Sequence, residues 1–280
     1  MSRYKLLGIA GVLVLILITA GNHIHPTHFQ PASPANHISQ PPAGPRYWII
    51  TSTALDEVTS NSKTLATLKN DTIYSPDYDP GAATPAERSL HVIPAKTYQS
   101  EARFEADVAD GKIPTYVKAI LYDNEPWQLT PGTEQQDPVT YYKQAYSLAH
   151  AHGYTMIAAP VPNTLAPVVA PYADIVDVQA QYAQSSTSAY LAAVTSTIDQ
   201  ARQANPHAII LSGLSTNPTA GDPSPQQLDG IAKATFSRLT RGWWLNIPNP
   251  GTACPRCHQA RPDTAIKFLE LLGATQQIAQ

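Results

Sequence analysis

Short apolar runs alternate with segments that have the composition and periodicity of helices, from Arg46 to the end of the chain. A strand of a parallel sheet is buried on both faces, so it reads as a short apolar run bounded by turn residues. On this basis we predict strands at 47–51, 90–93, 117–122, 154–159, 175–181, 208–211 and 243–247. Strands that alternate with helices at this spacing are typical of parallel βαβ units.

Several of the intervening segments carry clear helix signals. Asp137 and Pro138 are suited to the N-cap and first turn of a helix that runs to His152 and ends at Gly153. Helical patterns also cover the stretch up to Lys69 and residues 98–110, 185–204, 225–240 and 263–272.

The predicted fold is an α/β (β/α)8 TIM-barrel-like domain. The apolar runs leave it one strand short, and residues 71–86 (DTIYSPDYDPGAATPA) could contain the missing strand, or the barrel could be irregular or incomplete there. A doubly wound sheet is the alternative. No glycine-rich turn follows the first strand, so a dinucleotide is not indicated, and we predict no cofactor.

The N-terminus has the pattern of a signal peptide or membrane anchor at 1–21. Arg3 and Lys5 precede an apolar stretch from Leu6 to Ala20, and small residues follow at a possible cleavage point. We therefore expect a secreted protein, or one anchored to the outer face of the cytoplasmic membrane, that contacts the membrane only through this segment. A linker at 22–45 then leads to a barrel domain at 46–280.

The net charge of the 280 residues is −3, and the basic residues form no cluster in the sequence, so we expect no nucleic-acid partner. The linker is rich in proline and contains His23, His25, His28 and His37. A metal site needs ligands in fixed geometry, which an extended, solvated linker does not provide. We interpret these histidines as linker residues and predict no metal site.

The cysteines are Cys254 and Cys257, in a CPRC sequence after the last predicted strand. One CxxC pair with His258 supplies at most three zinc ligands, and a redox motif of this kind should open a helix after an early strand. In an exported chain a local disulfide is the simplest interpretation, and metal or redox roles are the alternatives.

The most informative segment is Tyr116–Trp127 (YVKAILYDNEPW), where an apolar run ends in two carboxylates. Asp123 and Glu125 share the parity of the apolar side chains before them, so a strand would point them to one side, about 7 Å apart. Parallel α/β folds place their chemistry at the carboxyl ends of strands. Two acids with an aromatic residue nearby suit a site that cleaves sugars.

Other strand ends are also polar or aromatic, as a surface that grips sugar hydroxyls would be. Asp177 could be an inert polar residue inside the barrel. Trp243 and Trp244 are adjacent, so one should face the barrel mouth and the other the helices. The predicted substrate-binding residues are Tyr122, Trp127, Gln179, Gln181, Tyr182, Trp243 and Asn246.

The order of these strand ends resembles that of family-18 chitinase-type barrels over roughly residues 115 to 250. The matching features are Asp123-Asn124-Glu125, Ala158-Ala159-Pro160, Val178-Gln179-Ala180-Gln181-Tyr182 and Trp243-Trp244. The resemblance implies that Glu125 is the general acid and that Asp123 orients a substrate N-acetyl group. This chain departs from that family's D-G-x-D-x-D-x-E motif, because Lys118, Ala119 and Leu121 stand at the positions of the first Asp, the Gly and the second Asp.

The favoured hypothesis is an exported barrel of glycoside-hydrolase type that acts on a cell-envelope or extracellular polysaccharide, with Glu125 as general acid. A non-catalytic glycan-binding barrel with a reduced active site is the second hypothesis. A structural envelope protein held at the membrane by its N-terminus is the third. Whether the chain is an enzyme remains open at this stage.

Overall fold

A computed structural model describes residues 45–218, 221–236, 238–251 and 257–278. The predicted signal or anchor at 1–21 and nearly all of the linker lie outside these residues. Among the helices described, none is long and apolar enough to cross a membrane. The described part of the chain forms a closed, all-parallel barrel in which each strand pairs with the next and the last pairs with the first. The strands are β1 (Tyr47–Ile49), β2 (Thr72–Pro76), β3 (His91–Tyr98), β4 (Ala119–Tyr122), β5 (Thr155–Ala158), β6 (Ile175–Val178), β7 (Ile209–Ser215) and β8 (Gly242–Asn246).

The barrel prediction is confirmed, and the missing strand is β2, inside the stretch 71–86. Its short apolar core is interrupted by Ser75 and Pro76, which hides it from a search for apolar runs. Several strand boundaries differ from the prediction because tertiary pairing overrides the local pattern. For example, β7 continues to Ser215 because it pairs with β8 as far as Asn246. β3 extends to Tyr98 since it pairs with both β2 and β4, and β6 ends at Val178, before the polar residues Gln179 and Gln181.

The helices lie between successive strands, and the main predicted ones are present. Asp137 caps the helix over 138–151 and Ser186 caps the helix over 187–204, each through its side chain. The helix predicted to reach residue 240 ends at Thr235. The helices are α1 (Ser52–Thr59), α2 (Ser62–Leu68), α3 (Pro85–Arg88), α4 (Glu101–Ala109), α5 (Gly132–Gln136), α6 (Pro138–Ala151), α7 (Ala166–Val169), α8 (Thr187–Ala204), α9 (Pro225–Thr235) and α10 (Pro262–Ile278).

Two apolar clusters divide the strand side chains between the barrel interior and the outer layer. The interior cluster includes Ala119 and Leu121 of β4, Leu211 of β7 and Trp244 of β8. The outer cluster lies between the strands and the helices and includes Ile120, Tyr122 and Trp243. Alternate residues of each strand therefore face opposite sides, as the pleat requires.

The interior side chains stack in layers, and side chains at one height come from alternate strands. The observed pairing puts Pro76, Leu121, Asp177 and Trp244 in one layer, which we call the floor layer. The next layer, toward the carboxyl ends, consists of the small residues Thr51, Thr97, Ala159 and Gly213. Above it lie Asp123, Gln179 and Asn246, at the mouth of the barrel.

The barrel closes between β1 and β8, where the backbones approach very closely. Gly242 is paired with Tyr47, and a Cβ atom on Gly242 would overlap the Tyr47 carbonyl group. Beside this seam, the buried Asp71 carboxylate accepts hydrogen bonds from Arg46 Nε at 2.8 Å and Trp48 Nε1 at 2.9 Å. These contacts bind the start of β1 to the residue before β2.

Candidate active site at the barrel mouth

Asp123 and Glu125 leave the carboxyl end of β4 on its inward side, as the alternation of the strand predicted. Asp123 is buried and Glu125 is half-buried. The Asp123 backbone N–H still donates to the Tyr98 carbonyl of β3 at 2.8 Å, which extends the sheet pairing past the last residue of β4. The first acid of the pair is therefore fixed by the barrel.

Gln179 connects the two acids. It lies just beyond β6, in the same layer as Asp123, and its Nε2 group donates to Asp123 Oδ1 at 3.3 Å and to Glu125 Oε1 at 3.2 Å. The same amide contacts the Ala159 carbonyl oxygen at 3.2 Å. One side chain from β6 thus holds both carboxyls of β4 at the mouth, and the predicted proximity of these three residues is observed.

The electrostatics of the pair favour retention of a proton. Burial raises the pKa of Asp123 well above its usual range, and the charges of Glu125 and Asp177 raise it further. Burial also raises the pKa of Glu125, while the hydrogen bond from Gln179 opposes this shift. Among the described residues, no lysine, arginine or histidine forms an ion pair with these carboxyls. No cation offsets the repulsion between the two carboxylates, so this repulsion also favours a protonated form of the pair.

Tyr122 does not join these residues, because the parity that points Asp123 inward points Tyr122 outward. Its ring lies in the outer cluster, and its hydroxyl donates to Glu134 Oε2 at 2.6 Å. The Asn124 side chain donates to the Tyr122 hydroxyl at 2.9 Å and to the Glu134 carbonyl at 3.0 Å. Tyr122 was predicted to contact substrate; the structure corrects its position to the support of the segment that follows β4.

Trp243 is likewise placed in the outer layer, and Trp244 faces the interior. Trp243 is fully buried against Trp48 and Phe236, and its Nε1 group donates to Thr235 Oγ1 at 3.1 Å. Trp244 is 8% exposed, and its Nε1 group has no hydrogen-bond partner among the described residues. One tryptophan of the pair points into the barrel and the other toward the helices, as predicted. The inward one is Trp244, in the floor layer below the mouth, and not Trp243, which was predicted to bind substrate.

Gln181 reaches into the barrel because Gly213 has no side chain. A Cβ atom on Gly213 would lie 2.6 Å from Cδ and 2.9 Å from Oε1 of Gln181. The Gln181 amide therefore occupies the place that a larger residue on β7 would fill, and it belongs to the mouth as predicted.

The remaining predicted residues lie at the same end of the barrel. Asn246 ends β8, in the layer of Asp123 and Gln179. Trp127 is half-buried in the segment after β4 and donates through Nε1 to Thr130 Oγ1 at 3.0 Å. Tyr182 is 59% exposed in the turn after β6, and its hydroxyl accepts a hydrogen bond from Asn163 at 3.4 Å.

Two of the interior residues were not included in the predicted site. Trp244 was weighed as one of a pair, and its orientation depends on the register that β8 adopts against β1 and β7. Asp177 shares the parity of Gln179 on β6, which was the available signal, but an inert buried acid gives the same pattern. The predicted disulfide between Cys254 and Cys257 stays a prediction, because Cys254 lies outside the described residues.

Comparison with known proteins gives matches in structure only. No protein-family sequence model and no curated protein matches the chain. The spore cortex-lytic enzyme SleL of Bacillus megaterium superposes with a TM-score of 0.51 at 8% identity, over 82% of this chain and 73% of that one. A family-2 β-galacturonidase from Eisenbergiella tayi gives 0.50 at 12% identity, over 82% of this chain and 50% of that one.

A chitinase from Chromobacterium violaceum also matches, with a TM-score of 0.47 at 10% identity, over 82% of this chain and 99% of that one. Identities this low show the fold and do not show the reaction. The chain has a (β/α)8 barrel of the type found in glycoside hydrolases.

Proposed function

We propose that this protein is a glycoside hydrolase that acts on a cell-envelope or extracellular polysaccharide, with Glu125 as the general acid. The observation that carries the proposal is that Asp123 and Glu125 lie together at the carboxyl end of the barrel, where both contact the Gln179 amide. In (β/α)8 enzymes the active site lies at this end. Glycosidic bonds are cleaved with an acid that protonates the leaving oxygen.

In the free protein, burial and the neighbouring charges favour the proton on Asp123. In the proposed reaction, substrate binding moves this proton to Glu125 and leaves the negative charge on Asp123. Glu125 transfers its proton to the glycosidic oxygen as the bond from that oxygen to the anomeric carbon breaks. Asp123 stabilises the positive charge that develops on the sugar. Water then adds to the anomeric carbon, and its proton returns to Glu125, which restores the starting state.

The burial of the pair supports this assignment. An acid that donates near neutral pH needs a pKa above the ordinary value for a carboxyl. Both members of the pair meet this requirement, because burial raises the pKa of each. Glu125 is the more exposed of the two, so it is the one that a glycosidic oxygen would reach.

The mouth also offers groups that suit a sugar. Trp244 in the floor layer supplies an aromatic face and a free indole N–H, in place of Trp243. The amides of Gln181 and Asn246 would bind hydroxyl groups. Trp127 and the exposed Tyr182 would extend the contact along a chain of sugars, since aromatic rings pack on the apolar faces of pyranoses.

Replacement of Glu125 by Gln tests the proposal. We expect E125Q to lose about 10²- to 10⁴-fold in turnover, the usual contribution of a general acid, while it keeps its affinity for the polysaccharide. The measurement is the release of reducing ends from a panel of envelope and extracellular polysaccharides, beside binding of the same polymers by isothermal calorimetry.

A matched control is Glu105→Gln, which alters an exposed carboxyl on α4. It should behave as the wild type in both measurements. If the wild type hydrolyses none of the polymers, or if E125Q retains full turnover, the proposal is wrong.

One observation favours a second candidate, a barrel that binds glycans without cleaving them. The Gln179 amide donates to both acids and so favours their charged forms, which opposes proton donation. A binding protein would show no release of reducing ends, and E125Q would bind polysaccharide with the affinity of the wild type. Export through the N-terminal segment belongs to both candidates, and the location of the full chain in fractionated cells tests it.

A further inference from the structure

Asp177 is an acid buried without a partner. It is 0% exposed in the floor layer of the barrel, and neither carboxyl oxygen has a hydrogen-bond partner among the described residues. Its neighbours in that layer are Pro76, Leu121 and Trp244, none of which carries a charge. A carboxylate in such surroundings is costly, so the proton should stay on it until the pH is well above the usual range.

The position of Asp177 connects it to the proposed acid pair. It precedes Gln179 by two residues on the inward face of β6, and the Gln179 amide holds Asp123 and Glu125 directly above. The charge of Asp177 acts on Asp123, where it adds to the effects of burial and of Glu125.

Among the described residues, the charge of Asp177 also acts on Tyr190 of α8. Its hydroxyl donates to the Gly213 carbonyl oxygen at 2.7 Å, and burial raises its pKa, so it stays neutral. In the part of the chain that the structure describes, no cation pairs with Asp177, Asp123 or Glu125. A negative charge on Asp177 therefore acts mainly on Asp123, the member of the pair whose pKa it raises.

We propose that Asp177 is a positioning residue that acts through Asp123: once charged, it keeps the shared proton on the Asp123–Glu125 pair and so widens the pH range in which Glu125 can donate. This inference rests on the proposed function for its catalytic meaning. The electrostatic part stands without it. Burial raises the pKa of Asp177 to about 8, so the effect begins on the alkaline side of neutrality.

Below pH 8 Asp177 is neutral and an asparagine in its place carries the same charge. Above pH 8 the wild type gains a negative charge under Asp123, which opposes loss of the remaining proton, and Asp177→Asn cannot gain that charge. We therefore expect the pair to lose its proton at lower pH in D177N, by about one pH unit for charges separated by two side-chain layers.

The test is a titration of the full chain with ¹³C-labelled carboxyl groups, followed by NMR from pH 5 to 10 in the wild type and D177N. We expect the alkaline step of the Asp123 signal, in which the pair loses its remaining proton, to lie about one pH unit lower in D177N. Glu101→Gln is the matched control, because Glu101 is also a buried acid with a raised pKa, about 7, but lies on α4. It should leave the titration of the pair unchanged.

Identical titration of the pair in the wild type and D177N would overturn the proposal. If D177N does not fold, the wild type still decides, because its Asp123 signal should show a second step as Asp177 ionises, and absence of that step overturns the proposal. If polysaccharide is hydrolysed, the alkaline limb of the pH–rate profile should move to lower pH in D177N. A shifted titration without hydrolysis in either protein supports the role of Asp177 and refutes the enzymatic function. Hydrolysis with an unshifted titration supports the enzymatic function and refutes the role of Asp177.

Discussion

Single residues in the barrel interior decide how much room the mouth has. The layer between the floor and the carboxyl pair consists of Thr51, Thr97, Ala159 and Gly213, all of them small. At Gly213 the space is taken by the Gln181 side chain, which comes from the turn after β6 rather than from β7. The glycine thus fixes the place of a proposed sugar-binding amide.

Replacement of Gly213 by Ala should displace Gln181 with little loss of stability. The added methyl group meets the far end of a flexible side chain, so Gln181 can rotate away, and we expect the free energy of unfolding to change by about 1 kcal/mol or less. Polysaccharide affinity should fall several-fold, as measured by calorimetry. Gly132→Ala is the control, since nothing lies within 4 Å of a Cβ atom there. Equal affinity in the two variants would show that Gln181 does not contact the ligand.

Glu134 connects three secondary-structure elements, namely α5, α4 and β4. This residue of α5 is buried, and its carboxylate accepts hydrogen bonds from the Ser100 hydroxyl at 2.8 Å and the Glu101 backbone N–H at 2.8 Å at the start of α4. It also accepts the Tyr122 hydroxyl at the end of β4. An anion at a helix N-terminus is favoured by the helix dipole as well. Glu134 therefore holds the segment that carries Glu125 and Trp127.

Glu134→Ala should reduce the free energy of unfolding by about 2–4 kcal/mol, because the N–H of Glu101 and the hydroxyl of Tyr122 lose a buried acceptor. Urea unfolding measures the loss. Glu134→Gln keeps one acceptor oxygen and should lose less. Tyr122→Phe combined with E134A should cost less than the sum of the two single changes. Additive costs would indicate that the Tyr122 bond contributes nothing.

The sequence predicted local features of these elements well and distant ones poorly. The period-two pattern of β4 was sufficient to place Asp123 and Glu125 on the inward face, and it equally implied that Tyr122 faces outward. Trp243 and Trp244 could not be separated in this way, because the choice depends on how β8 pairs with β1. The role of Glu134 was not visible either, since its partners at the start of α4 lie more than 30 residues away.

For the whole molecule, buried acids make stability depend on pH. Asp177 has a pKa of about 8 in the folded protein and a usual value of 3.8, so the folded state keeps a proton that the unfolded chain releases between these values. The folded state binds more protons there, and the free energy of unfolding falls as pH rises, by about 1.4 kcal/mol per pH unit for one group.

We expect the fall in the free energy of unfolding with pH to be smaller in D177N by about 1.4 kcal/mol per pH unit between pH 5 and 8. Urea unfolding at a series of pH values measures this difference. Glu101, with a pKa of about 7, contributes in the same direction, so E101Q should flatten the curve over a narrower range that ends near pH 7. Parallel curves for the wild type and D177N would show that Asp177 is ionised in the folded protein at neutral pH.

The seam between β1 and β8 also dictates the order in which the chain can fold. β1 and its final neighbour are separated by nearly the whole domain, so every strand but one can pair while the chain emerges, and β1 keeps an open edge until Gly242–Asn246 arrive. The unpaired backbone groups at an open edge of a parallel sheet find their partner strand slowly, and meanwhile they can pair with other chains. We therefore expect a chain truncated before Gly242 to aggregate rather than form a smaller barrel.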